Sequence, residues 1–312
     1  MKDWKKLSYG NTQEPFMRQI TYQEAQRVYN LFCERLSYTR TRSGPLRRKV
    51  SLDEKKRFME TIYGPKIARA DDTGGEMFAG IPKEHVERFH EARAWYERLR
   101  QRVKPLVETL PRDQWGQEEV KAITAECGAE MAGFVEYYDP EYKDDMVMLV
   151  FGIGMLEVNN MKVPSLEAET LFFSKNVEIQ SMTNEIAQKL WDRGTYCEPV
   201  PCATYYHLDN IEFNQVRFCE GAFDGSVGKN FLFLSKDFGC KFRMGQVIFY
   251  KPPGMTFSSP ETIDFCKDCT ICVDACPSKA LRIDDSIVCS RYFITHDHCS
   301  LCMDVCPVAK DS

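Results

Sequence analysis

No stretch of this chain approaches the roughly 20 apolar residues of a membrane-spanning helix. Its first residues, MKDWKKLSYGNTQEP, lack the apolar core of a signal peptide. Arg47-Arg48 is a twin arginine, but the polar KVSLDEKKRF follows it, so it does not read as an export signal. An excess of positive charge is missing too. Lys and Arg number 41 against 46 Asp and Glu, a formal net charge of −5, which gives no electrostatic case for a nucleic-acid partner. The expectation is a cytoplasmic chain without a transmembrane segment. Its 43% hydrophobic and 28% charged residues are ordinary for a globular protein, and 312 residues suffice for about two domains.

Cysteine, by contrast, is plentiful. Fourteen occur, and eight of them fall between positions 266 and 306. A disulfide framework belongs mainly to small secreted chains, and this usage fits a reducing compartment with thiols kept free for metal. The first run, Cys266, Cys269, Cys272 and Cys276 followed by Pro277, is C-x2-C-x2-C-x3-C-P. In that spacing three thiolates hold one iron–sulfur cubane and the fourth crosses to another. A structural zinc site more often uses separated C-x2-C pairs or mixed Cys and His. The second run, Cys299, Cys302 and Cys306 before Pro307, lacks its leading cysteine. Cys289 is the expected replacement, and His296, which stands where a strict copy has cysteine, is the alternative. Crossed ligation then assigns Cys266, Cys269, Cys272 and Cys306 to one [4Fe–4S] cluster, and Cys276, Cys289, Cys299 and Cys302 to a second. Most of the other six cysteines read as small buried hydrophobes.

Residues 1–115 are expected to be a partly helical region of unassigned role. The basic run SYTRTRSGPLRRKVSLDEKKR reads as a solvated surface or mobile arm. Val86, Phe89, Ala92, Trp95, Leu99, Val103 and Leu106 recur at three- and four-residue spacing and predict one amphipathic helix. From residue 116 the texture changes. EEVKAITAECGAEMAGFVEYYD predicts helix, glycine turn and strand; MVMLVFGI predicts a strand buried on both faces; residues 168–192 predict a helix. NFLFLS and GQVIFY predict two further strands, and KPPGMTFSSPET a linker into the cysteine segment.

The segment GAFDGSVGKNFLFLSKDFGCKFRMGQVIFY resembles the stretch that precedes the clusters in corrinoid-dependent reductive dehalogenases and epoxyqueuosine reductases. Ala222, Gly225, Gly228, Asn230, Leu232, Gly239 and Arg243 fall in the register of that motif, with Lys229 in place of its arginine and Cys240 in place of a proline. C-S-R-Y-F before the second run, with Cys289 far from Cys299, is closer to a dehalogenase than to a plain ferredoxin. The likeness spans about residues 116–308. It implies an α+β chain: a nitroreductase-like α/β corrinoid-binding domain over 116–255, then a ferredoxin-like domain with two [4Fe–4S] clusters over 256–312.

The implied activity is oxidoreduction, with electrons passing through the clusters to a base-off cobalamin that reduces a small substrate such as an organohalide. Gly225, Gly228, Lys229, Asn230 and Gly239 are then expected against the corrinoid, the two glycines Gly225 and Gly228 through positive φ and close backbone approach. Arg243 is expected to stabilise charge on a leaving group. Tyr206, between Tyr205 and His207, is the expected proton donor. An electron donor such as a ferredoxin or flavodoxin, and a small-molecule substrate, are the implied partners. Two other functions fit the same residues. One is reduction of a modified tRNA base, although the D-Y-H motif of epoxyqueuosine reductases is absent; the other is an electron carrier without catalysis.

Overall fold

The computed structural model describes residues 30, 33–34, 37–48, 87 and 91, and then 116–308 apart from 140–143, 194–196, 201–212, 253–254, 258 and 297–298. Of the amphipathic helix expected over 86–106 only Glu87 and Glu91 are among them, both helical and exposed. Among those described, no helix is long and apolar enough to cross a membrane.

Helix α1 (Gln117–Glu126) opens with Glu118 and Glu119 in its first turn, where the helix dipole favours negative charge. It ends in a Schellman turn at Gly128, whose φ is +97°. There Gly128 N–H donates to Ala125 O and Ala129 N–H to Thr124 O. That turn delivers the chain directly into β1 (Met131–Asp139), as the sequence predicts. Strand β2 (Asp144–Gly154) follows, then α2 (Leu166–Asp192), whose N-cap Ser165 accepts a hydrogen bond from Ala168 N–H. Next come β3 (Cys197–Val200), α3 (Gln215–Ala222), the small hairpin β4 (Gly225–Val227) and β5 (Phe233–Ser235), and β6 (Phe242–Tyr250).

The main sheet runs β1-β2-β6-β3, antiparallel throughout. Side chains alternate between its faces. Val147, Leu149 and Phe151 of β2 pack with Val247 and Phe249 of β6 beneath Ile179, Ile186 and Leu190 of α2 and Val120 and Ile123 of α1. Met146, Met148 and Val150 point the other way, onto Ile248, Phe213 and Phe218. Both faces are covered, which is why β2 reads as an unbroken apolar run. The proline-rich segment after β6 is not a free linker: Met255 is buried in the first core cluster, and Phe257 lies 6.0 Å from the Phe134 ring.

The basic N-terminal run departs furthest from expectation. Residues 37–48 are not a loose arm: Ser37, Tyr38 and Thr39 are buried, while Arg42, Ser43, Pro45 and Arg48 are exposed. They form a strap across the end of the sheet and onto the cysteine segment. Val216 N–H donates to Thr39 O, Asn214 N–H to Leu46 O, and Arg47 bridges Phe213. The arginines are accommodated by aromatic faces. Arg40 lies over Phe293 at 5.6 Å, Arg42 over Phe231 at 5.6 Å and Arg47 over Phe213 at 4.9 Å. Guanidinium planes stack in this way because they are delocalised and weakly hydrated. Arg47 also pairs with the fully buried Asp139.

Burial leaves several free thiols unable to ionise in the fold. Burial, with Glu185 nearby, pushes Cys127 up to about 11, and burial raises Cys197 and Cys219 further. Tyr137 is raised by burial and by Asp139 beside it. Each of these groups has a folded pKa above its unfolded one, so its contribution is complete at neutral pH. That contribution is lost as pH rises past about 9, where the unfolded chain ionises and the folded one does not. Cys219→Ala is expected to flatten the fall of unfolding free energy between about pH 9 and 11 by roughly 1.4 kcal/mol per pH unit. Urea titrations at stepped pH measure it; an unchanged slope would refute a buried neutral thiol at this position.

Candidate metal centre

The cysteine segment is built on three short helices: α4 (Ile271–Ala275), α5 (Ser286–Thr295) and α6 (Leu301–Asp304). Cys272 lies on α4 and Cys276 just past its end; Cys289 lies on α5; Cys302 lies on α6, between Cys299 and Cys306 in the flanking turns. Asp285 caps α5 by accepting from Ile287 N–H and Val288 N–H, which sets the orientation of the helix carrying Cys289.

Three of these thiols are raised by burial and by other thiols. Cys272 is pushed up to about 11 by burial and then by Cys266, Cys306 and Cys269. Cys289 is raised by burial and by Cys276 and Cys299, against the opposing charge of Arg40. Cys302 is raised by burial, then by Cys289, Cys299 and Cys272, with Arg40 again opposing. Cys266 and Cys306, from opposite runs, share one apolar cluster, and Cys272, Cys276, Cys289 and Cys302 share another. Among the described residues, no three His, Cys, Asp or Glu side chains converge on a single-ion site. A cubane takes one thiolate at each of four corners, so its ligands surround a volume instead of meeting at a point. All-thiol quartets against an apolar lining of Phe231, Leu281 and Val305 fit an iron–sulfur cluster. His296 stacks on Tyr292 at 3.7 Å, with its Nδ1 3.1 Å from Tyr292 O.

One thiol is already biased toward the thiolate. Burial raises Cys276, but the Ser278 hydroxyl and the N–H groups of Leu281, Ser278 and Ala280 outweigh it and hold the thiol below its ordinary value. Hydrogen bonds aimed at a ligand sulfur are one of the means by which a protein tunes such clusters. A ninth cysteine lies close by. Cys240 is buried and its thiol hydrogen-bonds Cys306; that contact, then burial, raise it, while the fully buried Lys241 opposes. The substitution of cysteine for the motif's proline is the only sequence signal of that contact.

The residues expected against a corrinoid all have protein neighbours. Gly225 takes φ +146°, and a Cβ there would meet Leu234 O at 2.0 Å. Its N–H donates to Glu261 O and its carbonyl accepts from Ile263 N–H, stitching the hairpin to the start of the cysteine segment. Gly228 does not take the positive φ expected of it; a Cβ there would meet Leu234 Cδ1 at 2.2 Å and Cys266 Sγ at 3.3 Å. Lys229 Nζ donates to Cys269 O at 2.9 Å, and Asn230 Oδ1 accepts from Leu232 N–H. Gly239, at φ +55°, would place a Cβ 2.5 Å from Val308 O. Gly225, Gly228, Lys229 and Gly239 thus meet the stretch from residue 261 to 308.

Arg243 projects from β6 over the Phe172 ring of α2, 4.9 Å from its centroid. Tyr206, with Tyr205 and His207, lies outside the described residues. Helix α2 adds a feature that its apolar pattern conceals: Asn176, Gln180 and Asn184 fall four residues apart on one line, all buried. Gln180 Nε2 donates to Asn184 Oδ1 at 2.9 Å. Three amides at i, i+4 and i+8 in a buried helix were the available signal.

No protein-family model matches the chain. Over 103 residues it is 34% identical to an epoxyqueuosine reductase of Cyclobacterium marinum, covering 27% of this chain and 33% of that one. Among solved structures it is similar to a catabolic reductive dehalogenase, at a TM-score of 0.51 and 18% identity over 63% of this chain and 32% of that one. It is also similar to the epoxyqueuosine reductase of Streptococcus thermophilus, at a TM-score of 0.44 and 16% identity over 63% and 66% of the two chains. The second superposition is too loose to bear on architecture. The first shows a shared mixed helix-and-sheet fold. This chain spans about a third of the length of the curated relative and of the dehalogenase.

Proposed function

We propose that this chain is an iron–sulfur oxidoreductase in which two [4Fe–4S] clusters relay single electrons toward the α/β domain over residues 116–255. The observation that carries the reading is the gathering of cysteines from both runs, Cys266 with Cys306 in one apolar cluster and Cys272, Cys276, Cys289 and Cys302 in another. The first quartet is the inner one: Cys266 and Cys306 pack with Met155, Phe172 and Leu234, side chains of the α/β domain. Lys229 adds a cation at the backbone of Cys269 on the same side. The second quartet, on α5 and α6, is the outer one and would receive electrons from a ferredoxin or flavodoxin.

The resemblance names cobalamin as the acceptor and a small molecule such as an organohalide as the substrate, with Arg243 and Tyr206 at the reacting centre. The proposal routes no step through that group. The acidic balance and the missing D-Y-H motif favour a small-molecule substrate over tRNA, and also leave open the role of electron carrier. Anaerobic reconstitution with iron, sulfide and hydroxocobalamin, followed by metal analysis, separates these readings. About eight irons per chain are expected. One tightly held cobalt would assign the acceptor as a corrinoid and justify a screen of halogenated substrates; eight irons without cobalt would leave an electron-transfer protein. A content near four irons would sink the two-cluster reading.

A further inference from the structure

We propose that Phe231 is a positioning residue that keeps water from the outer cluster and so holds its reduction potential down. The inference rests on the two-cluster reading above. Phe231 lies in the turn that joins β4 to β5. Its N–H donates to Gly228 O at 3.1 Å, and Gly228 N–H donates to Leu232 O at 2.8 Å. That pattern is a three-residue hairpin loop, Lys229 to Phe231, whose last position takes the left-handed conformation and is ordinarily glycine. Phe231 takes φ +61° there. A bulky side chain in that region strains the backbone, and such outliers persist only where the surroundings impose them. What surrounds this one is the cysteine segment. Phe231 is 3% exposed and clusters with Cys272 and Leu281, and Cys276, Cys289, Cys302 and Val305 pack against the same cluster. Cys276, Cys289 and Cys302 are ligands expected for the outer cluster. On its other side the ring is covered by the strap: Arg42 lies over it at 5.6 Å and donates to Gly228 O at 2.6 Å.

Reduction of a cubane adds one electron and hence one negative charge. Water beside the ligand sulfurs stabilises that charge and an apolar shell does not, so a dry cluster is harder to reduce. Glycine at position 231 would relieve the backbone and leave the volume of an aromatic ring open beside the thiols. Phenylalanine does the reverse: it strains the turn and fills that volume with apolar atoms. Two cations meet the same turn, Lys229 on the carbonyl of Cys269 and Arg42 on that of Gly228. Both are retained when Phe231 alone is changed. Loosening Arg42 by removing the ring beneath it would lower a midpoint, so it cannot mimic the rise that entry of water produces.

The test uses the full chain, reconstituted without oxygen, with two midpoints resolved by potentiometric titration followed by electron paramagnetic resonance. The outer cluster is identified as the signal lost in Cys289→Ser. Phe231→Gly is expected to raise that midpoint, by an amount equal to about a tenfold rise in the reduced-to-oxidised ratio at fixed potential, about 59 mV for a one-electron couple. The inner midpoint, which the ring meets through Cys272 alone, is expected to move less. In D2O the spin-echo modulation of the reduced outer signal should gain a deuteron coupling that the wild type lacks. Phe231→Leu, which keeps the site apolar, is expected to shift the midpoint less than Phe231→Gly. If Phe231→Gly does not load iron, Phe231→Asn carries the test, since asparagine tolerates the left-handed turn and brings a polar group to the same place. Variants that alter thermal stability while the outer midpoint and deuteron coupling stay put would overturn the proposal and leave Phe231 as packing. A lowered midpoint, or equal shifts in both clusters, would overturn it as well. A wild-type content of about four irons would instead overturn the reading beneath it.

Discussion

Arg47→Ala is expected to destabilise the protein by about 3–5 kcal/mol, the usual cost of removing one partner from a buried ion pair. The Asp139 side chain is fully buried and that of Arg47 only 12% exposed, so solvent cannot substitute for the lost guanidinium. The pair does more than cancel charge. Tyr137 Oη donates to Asp139 at 3.4 Å, and Arg47 stacks on Phe213 while its backbone bridges the same residue. Against a typical total of about 5–15 kcal/mol the loss is large, and thermal unfolding should fall by roughly 10 °C. Pairing the change with Asp139→Leu should recover much of it, because a well-packed apolar pair often replaces a buried ion pair without net cost. Circular-dichroism melts of wild type, single and double variants check this. A single variant that melts with the wild type would mean that the strap is not anchored there.

Cys306→Ser should remove the same cluster as Cys266→Ser, although Cys306 belongs to the second cysteine run in the sequence. Crossed ligation requires this, because the fourth thiolate of each run serves the other run's cluster. Iron should fall from about eight to about four per chain in either variant, with the same resonance signal missing. Cys276→Ser should remove the other signal, the one lost in Cys289→Ser. The charges acting on Cys272 already join Cys306 to Cys266 and Cys269. If Cys306→Ser and Cys299→Ser lose the same signal instead, each run holds its own cluster and the assignment fails.

These two experiments probe features of different legibility. The cysteine assignment was readable because ligand spacing is local: C-x2-C-x2-C-x3-C fixes which thiols share a loop, whatever surrounds them. Helix α1, its Gly128 turn and β1 were readable for the same reason, as an N-terminal acidic turn, a glycine stop and an alternating strand lie within 23 consecutive residues. The strap was not. A run such as SYTRTRSGPLRRK looks solvated when charges are counted, since nothing local shows that Phe213, Phe231 and Phe293 stand ready to receive its guanidiniums. The glycines show a third kind of outcome. Their need for close approach was legible, but what approaches them is Leu234, Cys266 and Val308.

The sequence by itself determined the thiol inventory, the crossed pairing it permits, the buried character of β2 and the register of the hairpin motif. Each of these follows from covalent spacing or from the two periodicities of the backbone. Only the tertiary structure decided that the sheet is antiparallel in the order β1-β2-β6-β3, that the hairpin clasps the cysteine segment, that Arg40 lies over Phe293, and that Cys240 packs with Cys266 and Cys306. Those outcomes depend on contacts between residues tens to hundreds of positions apart. Their stability comes from burial and paired charge, which no window of sequence contains.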